Sequence, residues 1–286
     1  MYPYDLHCHS SFSDGDFDVS KVIQKAKEAG LKGLAITDHN VIDHIKLAET
    51  ESEKAGLTNV EGVEITSSFQ SIDIHILGYS LGFDLRRLQQ ILKPIQDGYN
   101  ERARIIIRKL KQSIGIELDF DSLVASRPAG VVFRYNIAQA IDQKQNIPLN
   151  EAQRLIGRNG PAWEPYGEWV PKPEQVVEGI HKANGIAVIA HPGDIKRSGH
   201  NPQLLKKNVT ELITTLVKVG LDGIEVRHSS HGTEEEQYFG SLAQKYDLIE
   251  SGGSDWHGEI HHPEIAMGMS GLTQSEFDHF VDQLRR

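Results

Sequence analysis

The residues best suited to chemistry stand near the start of the chain, in Tyr4-Asp5-Leu6-His7-Cys8-His9-Ser10-Ser11-Phe12-Ser13-Asp14. On an extended strand successive side chains face opposite ways, so His7 and His9 share one face and Cys8 takes the other, as a small core residue. The polar turn 10–13 is short enough to fold Asp14 back over the strand end. Two imidazoles and a carboxylate aimed at one point begin a transition-metal site. The pair alone is a weak signal, because the chain has 14 His and roughly one His-x-His is expected by chance at that frequency. The test is whether further ligands recur where a fold would carry them to the same strand end.

They recur with a β-α rhythm. Val19, Val22, Ile23 and Ala26 fall at helical spacing over 18–29, with Gly30 as a stop, and the apolar stretch 31–40 reads as a strand ending in Thr37-Asp38-His39. A helix over 41–55 leads to a strand over 59–66 with Glu64 near its end. In the next strand, 71–79, Ile72, Ile74 and Ile76 alternate with Asp73 and His75. After a helix over 173–184, strand 186–190 ends in His191-Pro192-Gly193. A helix over 204–219 precedes strand 223–228, which ends at His228 with His231 just beyond. A helix over 233–246 precedes strand 248–257, whose Gly-rich end carries Asp255-x-His257. Accidents do not repeatedly select the same end of successive parallel strands, so the pattern predicts a multinuclear metal site there.

Between 84 and 166 the texture changes. Leu88, Ile91, Leu92, Ile95, Ile105, Ile106 and Leu110 stand among many basic and polar residues. This reads as helix broken or kinked near Pro94 and Gly98, followed by shorter helices over 137–142 and 150–156. The expected organisation is an α/β unit formed by 1–83 and 167–286, with an inserted helical, substrate-binding subdomain at 84–166. Arg102, Arg104, Arg108, Lys109, Lys111, Arg127 and Arg134 read as a solvated helical face.

Bulk properties narrow the class. With 286 residues, 38% hydrophobic and 24% charged, the chain can bury a sizeable core. No apolar run approaches the roughly 20 residues a bilayer demands, and the single Cys precludes an internal disulfide, so a cytoplasmic protein without a membrane partner is expected. A net charge of −10 argues against long duplex nucleic acid as a partner. At the metal site, Asp14, Glu64 and Asp255 among neutral imidazoles would leave two or three divalent ions with roughly one to three surplus positive charges. A phosphate suits that excess. Imidazole-rich ligation favours Mn, Fe, Co or Zn over Mg.

Taken together, His7-x-His9 with Asp14, Thr37-Asp38-His39, Glu64, His75, Ala190-His191-Pro192 and Gly253-Ser254-Asp255-x-His257 resemble the PHP (polymerase and histidinol phosphatase) superfamily. The resemblance covers about two thirds of the chain. It implies a distorted (β/α)7 TIM-like barrel and a trinuclear centre, most simply of manganese, with Fe and Zn as alternatives. His7, His9, Glu64 and Asp255 look like ligands of one ion. Glu64 would bridge to a second held with His75 and His191, and Asp14, His39 and His257 would hold a third. Asp38 would orient an imidazole from behind.

The position of the insertion resembles stand-alone phosphoesterases that remove the 3′-phosphate of nucleoside 3′,5′-bisphosphates, some of which also degrade short RNA from the 5′ end. Those relatives carry an Arg-x-His-x-Ala-like stretch. Here it reads Arg134-Tyr135-Asn136-Ile137-Ala138, keeping the Arg and replacing the His. The implied reaction is in-line attack on phosphorus by a metal-activated water, with Arg134 and His228 in catalytic and substrate-binding roles and His231 as a further substrate contact. The expected partner is a small phosphorylated molecule, a nucleotide or short oligonucleotide. A small-metabolite phosphatase, such as one acting on histidinol phosphate, and a noncatalytic phosphate-binding module are the alternatives. Tyr135, Trp163, Tyr166 and Trp169 could stack on a base, and Lys172 and His200 could border the site. His261 and His262 read as surface residues.

Overall fold

The computed structural model describes residues 1–70, 72–198 and 202–285. Its opening unit is β1 (Tyr4–Cys8), α1 (Val19–Glu28), β2 (Gly33–Ile36), α2 (Ile45–Ala55) and β3 (Thr58–Asn59), with β1, β2 and β3 forming a parallel sheet in that order. The α1 helix starts where Asp18 caps it, its side chain accepting the Lys21 N–H at 2.8 Å, and it buries Val19, Val22, Ile23 and Ala26. Cys8 lies in the core behind the strand, its thiol donating to the Ala35 carbonyl.

The second sheet runs β4 (Glu61–Phe69), β5 (Ile72–Ser80), β6 (Ile186–Ile189), β7 (Gly223–His228) and β8 (Ile249–Gly253). The last three strands are parallel. Two pairings correct the expectation of parallel strands throughout: β5 is antiparallel to both β4 and β6. The physical reason is chain length. Only residues 70 and 71 separate β4 from β5, whereas a parallel return needs a crossover of a dozen or more residues. The fold is therefore a mixed α/β arrangement.

The two sheets meet at two edges. Cys8 forms a parallel bridge with Trp256 and His39 one with Glu64. The Asp255 N–H donates to the His7 carbonyl at 2.8 Å, and the Asn40 N–H to that of Glu64 at 2.8 Å. Gly253 permits the first approach, because a Cβ at that position would collide with the backbone and Cβ of His7. After β8, α10 (Gln274–Leu284) packs Phe277 and Phe280 into a core with Tyr4, Leu6 and Tyr79.

Between β5 and β6 come α3 (Leu85–Ile114), α4 (Phe120–Ala125), α5 (Arg134–Gln145), α6 (Leu149–Ile156) and α7 (Pro173–Lys182). The expected break near Pro94 is absent and α3 is continuous. Pro94 and Gln90 are both exposed, so the carbonyl that loses its helical partner faces water. Gly98 admits the Trp169 indole against the helix. Leu88, Leu92, Ile95 and Tyr99 pack in the main core. A separate helical core begins only at Ala103 and includes Ile106, Leu110, Ile137, Ile141 and Ile156. Helices α8 (Pro202–Val217) and α9 (Thr233–Tyr246) complete the later β-α units.

Gly253→Ala should cost about 1–3 kcal/mol, because the contact it strains is backbone and cannot rotate away. The urea midpoint of the variant measures this, and a midpoint equal to wild type would refute the close approach of β8 to β1.

Candidate metal centre

The strand ends bring the nine expected metal ligands into one buried cluster. His7 Nε2 and His9 Nε2 each lie 3.2 Å from Glu64 Oε2, and 3.3 and 3.1 Å from Asp255 Oδ1. On its other oxygen, Glu64 lies 2.8 Å from His75 Nδ1 and 2.9 Å from His191 Nε2. Asp14 faces His257 at 3.4 Å and His39 at 3.7 Å, while His39 Nδ1 also reaches Glu64 at 3.0 Å. His9 Nδ1, 3.9 Å from Asp14, gives that group a fourth donor. His7 Nε2, both nitrogens of His9, Asp14 Oδ1, His39 Nδ1 and Glu64 Oε2 are buried without a hydrogen-bond partner. Buried polar atoms left unsatisfied in this number are costly. Their convergence and N/O chemistry fit divalent transition metals.

The field of the cluster acts on its members. Burial pushes the carboxyls of Asp14, Glu64 and Asp255 up, yet the surrounding imidazoles outweigh it and hold all three well below the carboxylate range. Burial likewise opposes charge on His9 and His191, but the negative charge of the neighbouring Glu64 and Asp255 carboxylates outweighs it and raises them to about 10 and about 9. His39 goes the other way, to about 3, because burial exceeds the pull of Glu64 and Asp14. Backbone conformation is also tuned. His191 and Asp255 adopt positive φ, 24° and 58°, a departure that persists only where the surroundings impose it.

Glu225 supplies much of that imposition, and sequence reading missed it. Fully buried, it lies 3.0 Å from His7 Nδ1 through one oxygen and accepts the His191 N–H at 2.6 Å through the other. A carboxylate set between Ile224 and Val226, in the buried part of the strand ahead of Arg227 and His228, was the available signal. Asp5 holds the next layer, accepting from the N–H and hydroxyl of Ser254 at 2.8 and 2.6 Å, beside Asp255. Asp38 does face an imidazole, but that of His44 at 3.2 Å, which is not among the converging donors. Its main service is to the turn that presents Asp14: it accepts from the Ser10 N–H and from the hydroxyls of Ser10 and Ser13.

Beside the cluster opens a cavity of about 250 Å³, lined by Asp14, His39 and His75 together with Arg102 from α3 and Arg134 from α5. Its neighbourhood corrects several expectations. Arg102 is not on a solvated face; it is 4% exposed. His261 is not a surface residue: it lines the cavity, stacks on Tyr135 with ring centroids 3.6 Å apart, and donates from Nδ1 to the Asp14 carbonyl at 3.1 Å. His262 is half exposed. His231 has no nitrogen left for a substrate, since Nδ1 donates to the Val226 carbonyl and Nε2 accepts the Gly193 N–H. His228 Nδ1 accepts the Ser230 N–H, so in the neutral ring Nε2 carries the proton, 3.4 Å from Asp255.

Asn136 caps α5, accepting the Phe133 N–H and donating to the Ser13 carbonyl. Tyr135 and Tyr166 line the cavity, and Trp163 lies under both arginines, 5.4 Å from each guanidinium. Trp169 packs beside Tyr99. Lys172 is exposed at the start of α7, and His200 falls outside the described residues.

A family profile described as PHP domain matches residues 5–228. A 5′-3′ exoribonuclease of Haemophilus influenzae is 31% identical over 257 residues, 89% of each chain. A 3′,5′-nucleoside bisphosphate phosphatase of Chromobacterium violaceum is 29% identical over 90% of this chain and 88% of its own. In fold, the chain resembles a solved structure from Bifidobacterium adolescentis described as a metal-dependent phosphoesterase, with TM-score 0.85, 24% identity, and coverage of 98% of this chain and 96% of that one.

Two outcomes are expected at the cluster. Ligating imidazoles must be unprotonated, and the metal-free chain holds protons on His9 and His191 at neutral pH, so loading must release protons and affinity must rise as pH rises toward about 9. Chelator competition from pH 6 to 9 reads this, and a flat profile would contradict it. Glu225→Gln should weaken metal binding by about 10- to 100-fold while the chain stays folded. Metal content after dialysis, alongside circular dichroism, measures both parts.

Proposed function

The chain belongs to the PHP domain family, and from that premise we propose that it removes the 3′-phosphate of nucleoside 3′,5′-bisphosphates and also acts on short 5′-phosphorylated RNA. The coarser activity is plain: it is a metal-dependent phosphoesterase, a hydrolase of phosphate esters. One observation carries the finer reading. The cavity is lined both by metal-donor residues and by guanidinium groups, so a molecule with two phosphates finds a partner of each kind. The names of the relatives from Haemophilus influenzae and Chromobacterium violaceum point to the same two substrate classes.

His7, His9, Glu64 and Asp255 would hold one ion, Glu64, His75 and His191 a second, and Asp14, His39 and His257 a third. Bound there, divalent metals supply a water of lowered pKa and neutralise charge developing on the phosphoryl oxygens. Manganese is our reading of the ions, with Fe and Zn as alternatives, since imidazole-rich mixed ligation disfavours Mg. His228 offers its Nε2–H toward the cluster, where it can donate to a phosphoryl or leaving-group oxygen. Arg134, exposed at the cavity rim, grips a phosphate and orients the ester. The helical segment acts as the substrate-binding insertion. We read the two sheets, joined at Cys8–Trp256 and His39–Glu64, as one distorted (β/α)7 barrel. No helix among the described residues is long and apolar enough to cross a membrane, which suits a cytoplasmic enzyme.

Purified protein with Mn should release phosphate from adenosine 3′,5′-bisphosphate faster than from histidinol phosphate, and should shorten a 5′-phosphorylated tetraribonucleotide. Preference for histidinol phosphate would replace this reading with the metabolite phosphatase. Asp255→Ala should lower turnover on the order of a thousandfold or more, with reduced metal content. Arg134→Ala should raise KM or lower kcat with metal retained. Unchanged constants would remove Arg134 from the site.

A further inference from the structure

Asp16 lies two residues beyond Asp14, yet it is not among the converging donors. Both of its oxygens are already committed. Oδ1 accepts the Tyr135 hydroxyl at 2.7 Å, and Oδ2 accepts the N–H groups of Ile260 and His261 at 2.6 and 3.1 Å. Its own N–H donates to the His257 carbonyl at 2.7 Å. One half-buried residue thus joins three segments: the turn that presents Asp14, the stretch that follows His257, and helix α5 of the insertion. Gly258 makes the approach possible. Its φ is 116°, and a Cβ there would collide with the Asp16 carboxylate.

The contacts close on themselves. His261 returns a bond from Nδ1 to the Asp14 carbonyl, and its ring stacks on Tyr135. Asn136 adds a longer second tie from α5, donating to the Ser13 carbonyl at 3.3 Å. Tyr135 and His261 both line the cavity, whereas Asp16 does not. A carboxylate that supplies no donor to the cluster and no wall to the cavity, but holds members of both, has the placement of an outer orienting group.

We propose that Asp16 is a positioning residue whose carboxylate clasps the Tyr135–His261 pair to the Asp14 turn, fixing one metal position and one cavity wall together. The metal part rests on the assignment of Asp14, His39 and His257 to one ion, made above. The carboxylate acts as a hydrogen-bond acceptor and not as a charge, which gives it a chemical signature. In Asp16→Asn the amide oxygen can still accept both N–H groups, and the amide nitrogen can donate to the Tyr135 oxygen. Asp16→Ala can do neither.

The test uses the full chain, with manganese alone as the first probe and circular dichroism to check the fold of each variant. Equilibrium dialysis should show Asp16→Ala weakening one ion by about 10- to 100-fold, the same ion that Asp14→Ala loses, with the others retained. Asp16→Asn should recover most of that affinity. With adenosine 3′,5′-bisphosphate as substrate, Tyr135→Phe should keep every ion at wild-type affinity and raise KM about tenfold, roughly the worth of one charge-assisted hydrogen bond. It cuts only the tie to α5. Asp16→Ala with all ions at wild-type affinity would overturn the proposal. So would Asp16→Asn as impaired as Asp16→Ala, which would make the charge itself the agent. Should Asp16→Ala fail to fold, Tyr135→Phe decides, and a KM at the wild-type value would overturn the clasp. If wild type releases no phosphate from the bisphosphate, the proposed reaction fails and the metal affinities still judge the clasp. If Asp14→Ala loses no ion, the assignment of that ion fails and the KM of Tyr135→Phe judges the clasp alone.

Discussion

A carboxylate removed from water and ringed by five imidazoles is tenable only if charge passes freely among its neighbours, and Glu64 is in that position. It is fully buried and lies within 3.2 Å of His7, His9, His39, His75 and His191. In a low-dielectric pocket no member can keep or lose a proton alone. The structure answers with a layer of fixed hydrogen bonds outside the cluster. Glu225, Asp5 and Asp38 anchor the strand ends and turns that present the rings, so the donors cannot spread apart to relieve their crowding. Divalent cations relieve it instead.

That arrangement also shapes what the protein can bind. Carboxylates and imidazoles alone would give an acidic hole in an acidic protein. Arg102 and Arg134 add positive charge to the same cavity wall, and Trp163 and Tyr166 lie against the guanidinium groups. That lining is what led us to propose a phosphate ester with a second anionic group as the substrate. The insertion is thus part of the cavity wall, although its own hydrophobic core is separate.

The ligand-bearing strand ends were legible because each depends on local pattern: an apolar run, a polar end, a histidine or carboxylate. His7-x-His9 and Asp255-x-His257 announce themselves by residue type and spacing. Glu225 did not, since a single acid in a short strand carries no spacing signal and its importance lies in a contact 218 positions away. Arg102 looked like any basic residue on an amphipathic helix, because its burial depends on segments folding over it from beyond residue 160. His261 follows the Gly-rich end in a stretch without regular structure, where sequence periodicity says nothing about direction. Strand polarity was misjudged for β5, though the two-residue link before it already forbade a parallel return.

That short link has one more consequence. Glu64 and His75 lie on adjacent strands of a hairpin whose contacts are local and entropically cheap to close, whereas His7 meets Asp255 only when stretches nearly 250 positions apart pair through the His7 carbonyl. During synthesis, the hairpin can form long before the β8 segment emerges. The donor set is complete only once β8 has joined β1, because Asp255 reaches His7 and His9 through that late pairing.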